Sequence, residues 1–173
     1  MREIMDDRLR FLYGSLISVL GREIEVCGEL RGFLVREKDI LKKASADELG
    51  ESNAVKEACV SRAGMLEDAR KKSMNKIAKV LDLEENPTIS ALLPYADGSR
   101  KDELAKCGSL LRLLLTDIQK LNEGNKMLLS ASLLRVRRSI DFLGQLVYPG
   151  TTYLNSGKLK SNNMNGRILS REG

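Results

Sequence analysis

Leucines and isoleucines recur three and four residues apart over three long stretches of this chain, with polar residues between them, the pattern of helices that each bury one face. Written in heptads with Leu9 at a, the first stretch places Leu9, Leu16 and Leu30 at a, and Leu12, Val19, Val26, Phe33 and Ile40 at d. Tyr13, Leu20, Cys27, Leu34 and Leu41 fall at e. Three apolar positions per heptad make the broad stripe of a bundle helix, predicted here over about residues 1–43. Gly14, Gly21 and Gly28 lie at f, opposite the stripe, where each lowers helix propensity by roughly 1 kcal/mol. Tolerated surface glycine and a groove that accepts another chain both fit that spacing.

Ser45-Ala46-Asp47-Glu48 reads as a capping box that starts a second helix over about residues 46–82. Its inner face, Val55, Cys59, Leu66, Ala69, Ile77 and Val80, is small and interrupted by Arg62 and Ser73, which predicts the loosest packing of the three. Pro87 and Pro94 then bracket a connector of one or two helical turns, hooked onto the bundle by Ile89, Leu92 and Leu93. The third helix is predicted over about residues 101–147. Leu104 and Ile140 are about ten turns apart and face one side of a straight helix. Leu111, Leu115, Ile118, Leu129, Leu133, Val136, Leu143 and Val147 fall near the same line, a period closer to 3.6 than to 3.5, so a straight helix is expected. Pro149-Gly150 stops it, and residues 148–173 read as a flexible tail.

The fold expected is therefore all-α: an elongated helical bundle or antiparallel coiled coil of three long helices with a short helical connector. Composition agrees. Of 173 residues 31% are charged, only 4% are aromatic and none is Trp, which suits helices better than sheets. The chain contains no histidine, so the usual general base and the commonest metal ligand are both missing. Cys27, Cys59 and Cys107 form no CxxC pair and sit on or beside apolar stripes, as inert core thiols of a reducing compartment do. Gly157-Lys158 fails as a phosphate loop, because Thr152 stands where the first glycine is needed and Leu159 where Ser or Thr is needed. No enzymatic activity and no cofactor are expected.

The apolar run at residues 11–21 is too short to span a bilayer, and Asp6 and Asp7 spoil the basic flank of a signal peptide, so a cytoplasmic protein without membrane insertion is expected. The net charge is +5, about three charges of it in the tail, where Lys158, Lys160, Arg167 and Arg171 face Glu172. Elsewhere the two signs are interspersed and no aromatic platform for bases exists, so no nucleic-acid partner is expected. Arg135, Arg137 and Arg138 read as a solvated helix face.

One interruption carries more information. Asn122 and Asn125 stand in the middle of the third helix's apolar line, in Leu-Asn-Glu-Gly-Asn-Lys-Met-Leu-Leu. Such an Asn is either buried and paired, fixing register among helices, or marks where bundle packing ends and another partner's groove begins. Beyond it Leu128, Leu129, Leu133, Val136, Ile140 and Leu143 resume the line, on a helix too long for two shorter ones to cover easily. An uncovered apolar face of that kind usually belongs to a binding partner, a second copy in a homodimer being another way to cover it.

The run Leu121-Asn122-x-x-Asn125-x-x-Leu128-Leu129-x-x-Ser132-Leu133, followed by Val136, Ile140, Phe142 and Leu143 and then by Thr152-Tyr153-x-x-x-Gly157, resembles the C-terminal signature of the FlgN flagellar export chaperones. The resemblance implies a cytoplasmic chaperone of flagellar type III secretion, with hook-associated junction proteins as cargo. It implies cargo contacts at Asn122, Asn125, Leu128, Leu129, Ser132, Leu133, Val136, Ile140 and Leu143. It further implies that Tyr153 and Gly157 report to the export-gate membrane protein, although Leu154 and Asn155 stand where Gly and Pro commonly follow that Tyr. A coiled-coil adaptor or assembly protein without chaperone activity is the competing reading.

Overall fold

The computed structural model describes residues 2–43, 46–147, 151–153 and 159–161. Three long helices, α1 (Arg2–Lys43), α2 (Ala46–Leu81) and α4 (Gly98–Val147), account for most of them. Between α2 and α4 the chain makes α3 (Ile89–Leu92) and a 3-10 turn, Leu93–Tyr95. The expected all-α bundle of three long helices with a short helical connector is what forms. Ser45, the expected cap of α2, lies outside the described residues.

The connector is built by local hydrogen bonds. Leu83 N–H donates to Ala78 O at 2.9 Å while Asp82 takes a left-handed φ of 54°, the six-residue closure that ends a helix. Asn86, also left-handed at φ 58°, is clamped by Asn75: its N–H donates to Asn75 Oδ1 at 2.7 Å, and Asn75 Nδ2 donates to Asn86 Oδ1 at 3.2 Å. Thr88 Oγ1 then caps α3 by accepting from Ala91 N–H at 3.2 Å. Leu92 is the hook that apolar spacing predicts; it is fully buried, and its carbonyl accepts from Tyr13 Oη at 2.8 Å. Burial pushes the Tyr13 hydroxyl up to about 12, with Tyr95 adding to the effect, so it stays a donor at any ordinary pH.

Contacts divide the chain into two compact units, Met1–Lys126 and Met127–Gly173. In the first unit the core gathers at the connector end: Tyr13, Leu16, Leu20 and Cys27 of α1, Met74 and Ile77 of α2, Leu92, and Leu104 and Leu111 of α4. α1 runs antiparallel to α2, with Glu23 against Arg70 and Glu37 against Lys56, and parallel to this part of α4, with Arg31 against Asp117. The e positions Tyr13, Leu20, Cys27, Leu34 and Leu41 are all buried, seven residues apart, and form the innermost line of α1.

α4 answers with its own repeat of seven, in which Leu104, Leu111 and Asn125 are buried and Ile118 is partly so. The buried line of α4 thus repeats every seven residues, where the sequence suggested a period closer to 3.6. A seam that repeats every seven residues drifts about 20° per heptad around the helix, because α4 must follow α1. Leu115, on the straight line, is consequently left 47% exposed.

α2 packs loosely away from the connector, as its broken apolar face predicts: Val55 and Val60 are exposed and only Cys59 is buried there. Ion pairs fasten it instead. Arg62 Nη2 reaches Glu29 Oε2 at 2.5 Å, Arg70 Nε reaches Glu23 Oε2 at 2.8 Å, and Lys56 pairs with Glu37. Glu23 and Glu37 occupy a positions of the α1 heptad and are buried. Desolvation holds the Glu23 carboxyl above its ordinary range, with Arg70 opposing the shift only in part.

In the second unit α4 continues to Val147, and strands β1 (Thr151–Tyr153) and β2 (Leu159–Ser161) pair antiparallel, Thr152 opposite Lys160. The tail that sequence polarity reads as structureless thus contains a short ladder, consistent with the β-branched and aromatic run Thr-Thr-Tyr.

Candidate functional site

The two asparagines of α4 separate sharply. Asn125 is 3% exposed, and its Nδ2 donates both to Leu34 O at 2.8 Å and to Glu37 Oε2 at 2.7 Å. Two acceptors facing one amide set its orientation, since the flipped amide would aim an oxygen at a carbonyl and a carboxylate. Its Oδ1 is buried without a donor. Asn125 therefore serves α1 rather than a cargo surface, and its assignment as a cargo contact is corrected on that ground. It is the register-fixing Asn of the two readings the sequence leaves open, and Glu37 and Lys56 complete the network. Asn122 is exposed, one helical position off the seam that the heptad repeat defines.

The rest of the surface belongs to the second unit. Leu129, Leu133, Val136, Ile140 and Leu143 are all exposed, from 39% at Leu129 to 61% at Leu133. Their spacing of i, i+4, i+7, i+11 and i+14 puts them on one line of the helix. Leu128 and Ser132 flank this line and are partly covered. Met127, Leu134, Phe142 and Leu146 are exposed too, the first by 74%, and lie off that line. A search for a single stripe passes over these four, although the sequence shows large apolar residues on most sides of this stretch, with Lys126, Ser130, Arg137, Asp141 and Gly144 marking the polar side.

Exposed apolar side chains on several sides of one helix are unusual for a helix at rest in water. Ordinarily such a helix is covered, either by its own protein or by a partner. Polar groups here serve the helix itself: Ser139 Oγ donates to Arg135 O at 3.1 Å, and Arg135, Arg137 and Arg138 are exposed. The arrangement is suited to accepting an amphipathic segment. Among the described residues no group of three or more Cys, Asp or Glu could hold a metal ion. The perturbed thiols, Cys27, Cys59 and Cys107, are all raised first by burial, which suppresses the reactive thiolate.

Tyr153 ends β1, its backbone opposite Leu159. Gly157 lies outside the described residues. No helix among the described residues is long and apolar enough to cross a membrane.

The model of the family described as FlgN protein matches residues 5–161. No curated protein and no solved structure matches the chain.

Proposed function

This chain belongs to the FlgN family, which supports a general role as a flagellar export chaperone, and from that premise we propose that it binds the amphipathic terminal helices of hook-associated junction proteins in the cytoplasm. The observation that carries the reading is the exposed apolar line on α4, Leu129, Leu133, Val136, Ile140 and Leu143. A cargo helix with its own i, i+3, i+4, i+7 apolar face lies along this line in the helix-in-groove mode, and chaperoning consists of keeping that face from self-association. The protein acts by burial and needs no catalytic group or cofactor.

Energetics favour a releasable complex. Full burial of a leucine or isoleucine contributes about 1.5–3 kcal/mol, and these side chains start half-exposed, so each contributes roughly 1 kcal/mol from the chaperone's side. Ordering a cargo segment that is unfolded before export costs about 2–5 kcal/mol. The balance is moderate affinity, which export can undo. Delivery is the part of the reading assigned to the tail, where Tyr153 and Gly157 contact the export gate.

The test is titration calorimetry of a C-terminal segment of a hook-associated protein against the parent, Leu129→Asp and Val136→Asp. Both variants are expected to weaken binding at least 100-fold with an unchanged far-ultraviolet dichroism spectrum. Binding as tight as the parent's by both variants would remove this face from the cargo site. If sedimentation shows the parent to be a dimer that the same substitutions dissociate, a second copy covers the face and the cargo reading fails.

A further inference from the structure

Within the first unit a second surface has no part in the reading above. Between α2 and α4 runs an open groove of about 870 Å³, ended by the α3 connector. Its apolar lining comes from Met74 of α2, Ile89 and Leu93 of the connector and Leu111 and Leu115 of α4, with Asn86, Thr88, Ser109, Thr116 and Gln119 adding polar groups. Its α4 wall extends from Ala105 to Gln119, about 20 Å of helix. Gly108 keeps this end tight, because a Cβ there would stand 3.2 Å from Ile89 Cγ2.

The charge of the groove is one-sided. Arg70, Lys71 and Arg112 line it and no carboxylate does. Arg70 is held by buried Glu23, whereas Lys71 is held only by Glu67 in an exposed i, i+4 pair, the kind that exchanges readily for another carboxylate. Arg112 is exposed on the α4 side. Leu115, 47% exposed, sits one turn from Arg112 and offers the apolar contact that an arriving helix would bury. The tail of this chain has the wrong sign to fill such a groove, since Lys158, Lys160, Arg167 and Arg171 outnumber Glu172.

We propose that the groove between α2 and α4 is a docking site for an amphipathic helix of another protein, with an apolar face against Met74, Ile89 and Leu115 and acidic residues along its edges toward Lys71 and Arg112. This site is independent of the apolar line at residues 129–143, so the protein can hold two helical partners.

The test uses the full chain and a labelled 18-residue synthetic peptide with leucines at i, i+3, i+4 and i+7 spacing and glutamates along both edges, beside its counterpart with lysines in place of the glutamates. By fluorescence anisotropy at low salt the glutamate peptide is expected to bind at least tenfold more tightly than the lysine peptide. In a Leu129→Asp/Val136→Asp background, which silences the cargo surface, the glutamate peptide should keep that preference. In the same background Arg112→Glu combined with Lys71→Glu should reverse it, and Leu115→Asp should abolish binding of both peptides. Equal binding of the two peptides overturns the proposal. So does a preference that the charge reversal leaves intact, or one that disappears in the Leu129→Asp/Val136→Asp background alone. If the parent is a dimer that Arg112→Glu with Lys71→Glu dissociates, the groove is occupied by a second copy and the proposal is likewise overturned.

Discussion

Replacing Asn125 with Asp tests the register pin of α4 most sharply, because it changes one atom's chemistry and almost no volume. The amide nitrogen, which donates to Leu34 O at 2.8 Å and to Glu37 Oε2 at 2.7 Å, becomes an oxygen facing two acceptors. If the new carboxyl were ionised, two charges at about that separation would repel by roughly 6 kcal/mol in an effective dielectric of about 20. Keeping the new group protonated at pH 7 costs less, roughly 4 kcal/mol for a carboxyl whose ordinary value is near 4, so the variant folds by taking up a proton. The protonated acid donates one hydrogen bond instead of two, which adds about 1 kcal/mol, while Lys56 beside Glu37 offsets part of the repulsion. The expected deficit is roughly 3–5 kcal/mol at pH 7. Because the new group's folded-state pKa exceeds its unfolded value, the deficit falls to the roughly 1 kcal/mol of the lost hydrogen bond below the unfolded pKa and grows as pH rises, by about 1.4 kcal/mol per unit. Urea unfolding followed by circular dichroism at pH 7 and pH 4.5 reads both quantities. Asn125→Leu, which loses the two bonds but also removes the donorless Oδ1, should stay within about 2 kcal/mol of the parent and show no such slope. A deficit below about 1 kcal/mol for the Asp variant, or one equal at the two pH values, would refute the placement of Asn125 against Glu37.

Two further outcomes follow from the first unit. Burial holds Glu23 above its ordinary carboxyl range, so the folded state binds its proton more tightly than the unfolded state. The stability this confers is complete below the unfolded pKa and is lost as pH rises through the folded one; relative to Glu23→Gln, the parent should therefore gain stability between pH 7 and pH 4, and a constant difference would contradict the shift. Around Gly14, Gly21 and Gly28 an added Cβ meets nothing within 4 Å, so alanine at all three should raise the unfolding free energy by about 3 kcal/mol in total. A loss of stability in that triple variant would mean that the f face of α1 is packed.

The helices were legible because their period is local. The connector was legible as well, since Pro87, Pro94 and the apolar Ile89, Leu92 and Leu93 announce a break and its anchor. Glu23 and Glu37 were overlooked although the heptad numbering puts them at a, because charge at an interior position is read as exposure unless its partner is known. Arg62, which interrupts the apolar face of α2, instead cross-links it to Glu29 of α1. In the candidate site, the apolar residues from Leu129 to Leu143 could be picked out from spacing, whereas the opposite fates of Asn122 and Asn125 could not.

Sequence alone determined that three amphipathic helices form, where they stop, and that the last carries more apolar surface than one buried stripe requires. Only tertiary structure decided which of its faces is spent on the first helix. A straight line and a line drifting about 20° per heptad are nearly the same over one or two turns and diverge over four, so the choice between them is made by the neighbour that a helix must follow. That choice buries Asn125 beside Glu37, leaves Leu115 at the edge of a groove, and separates residues that stand only a few positions apart in the chain.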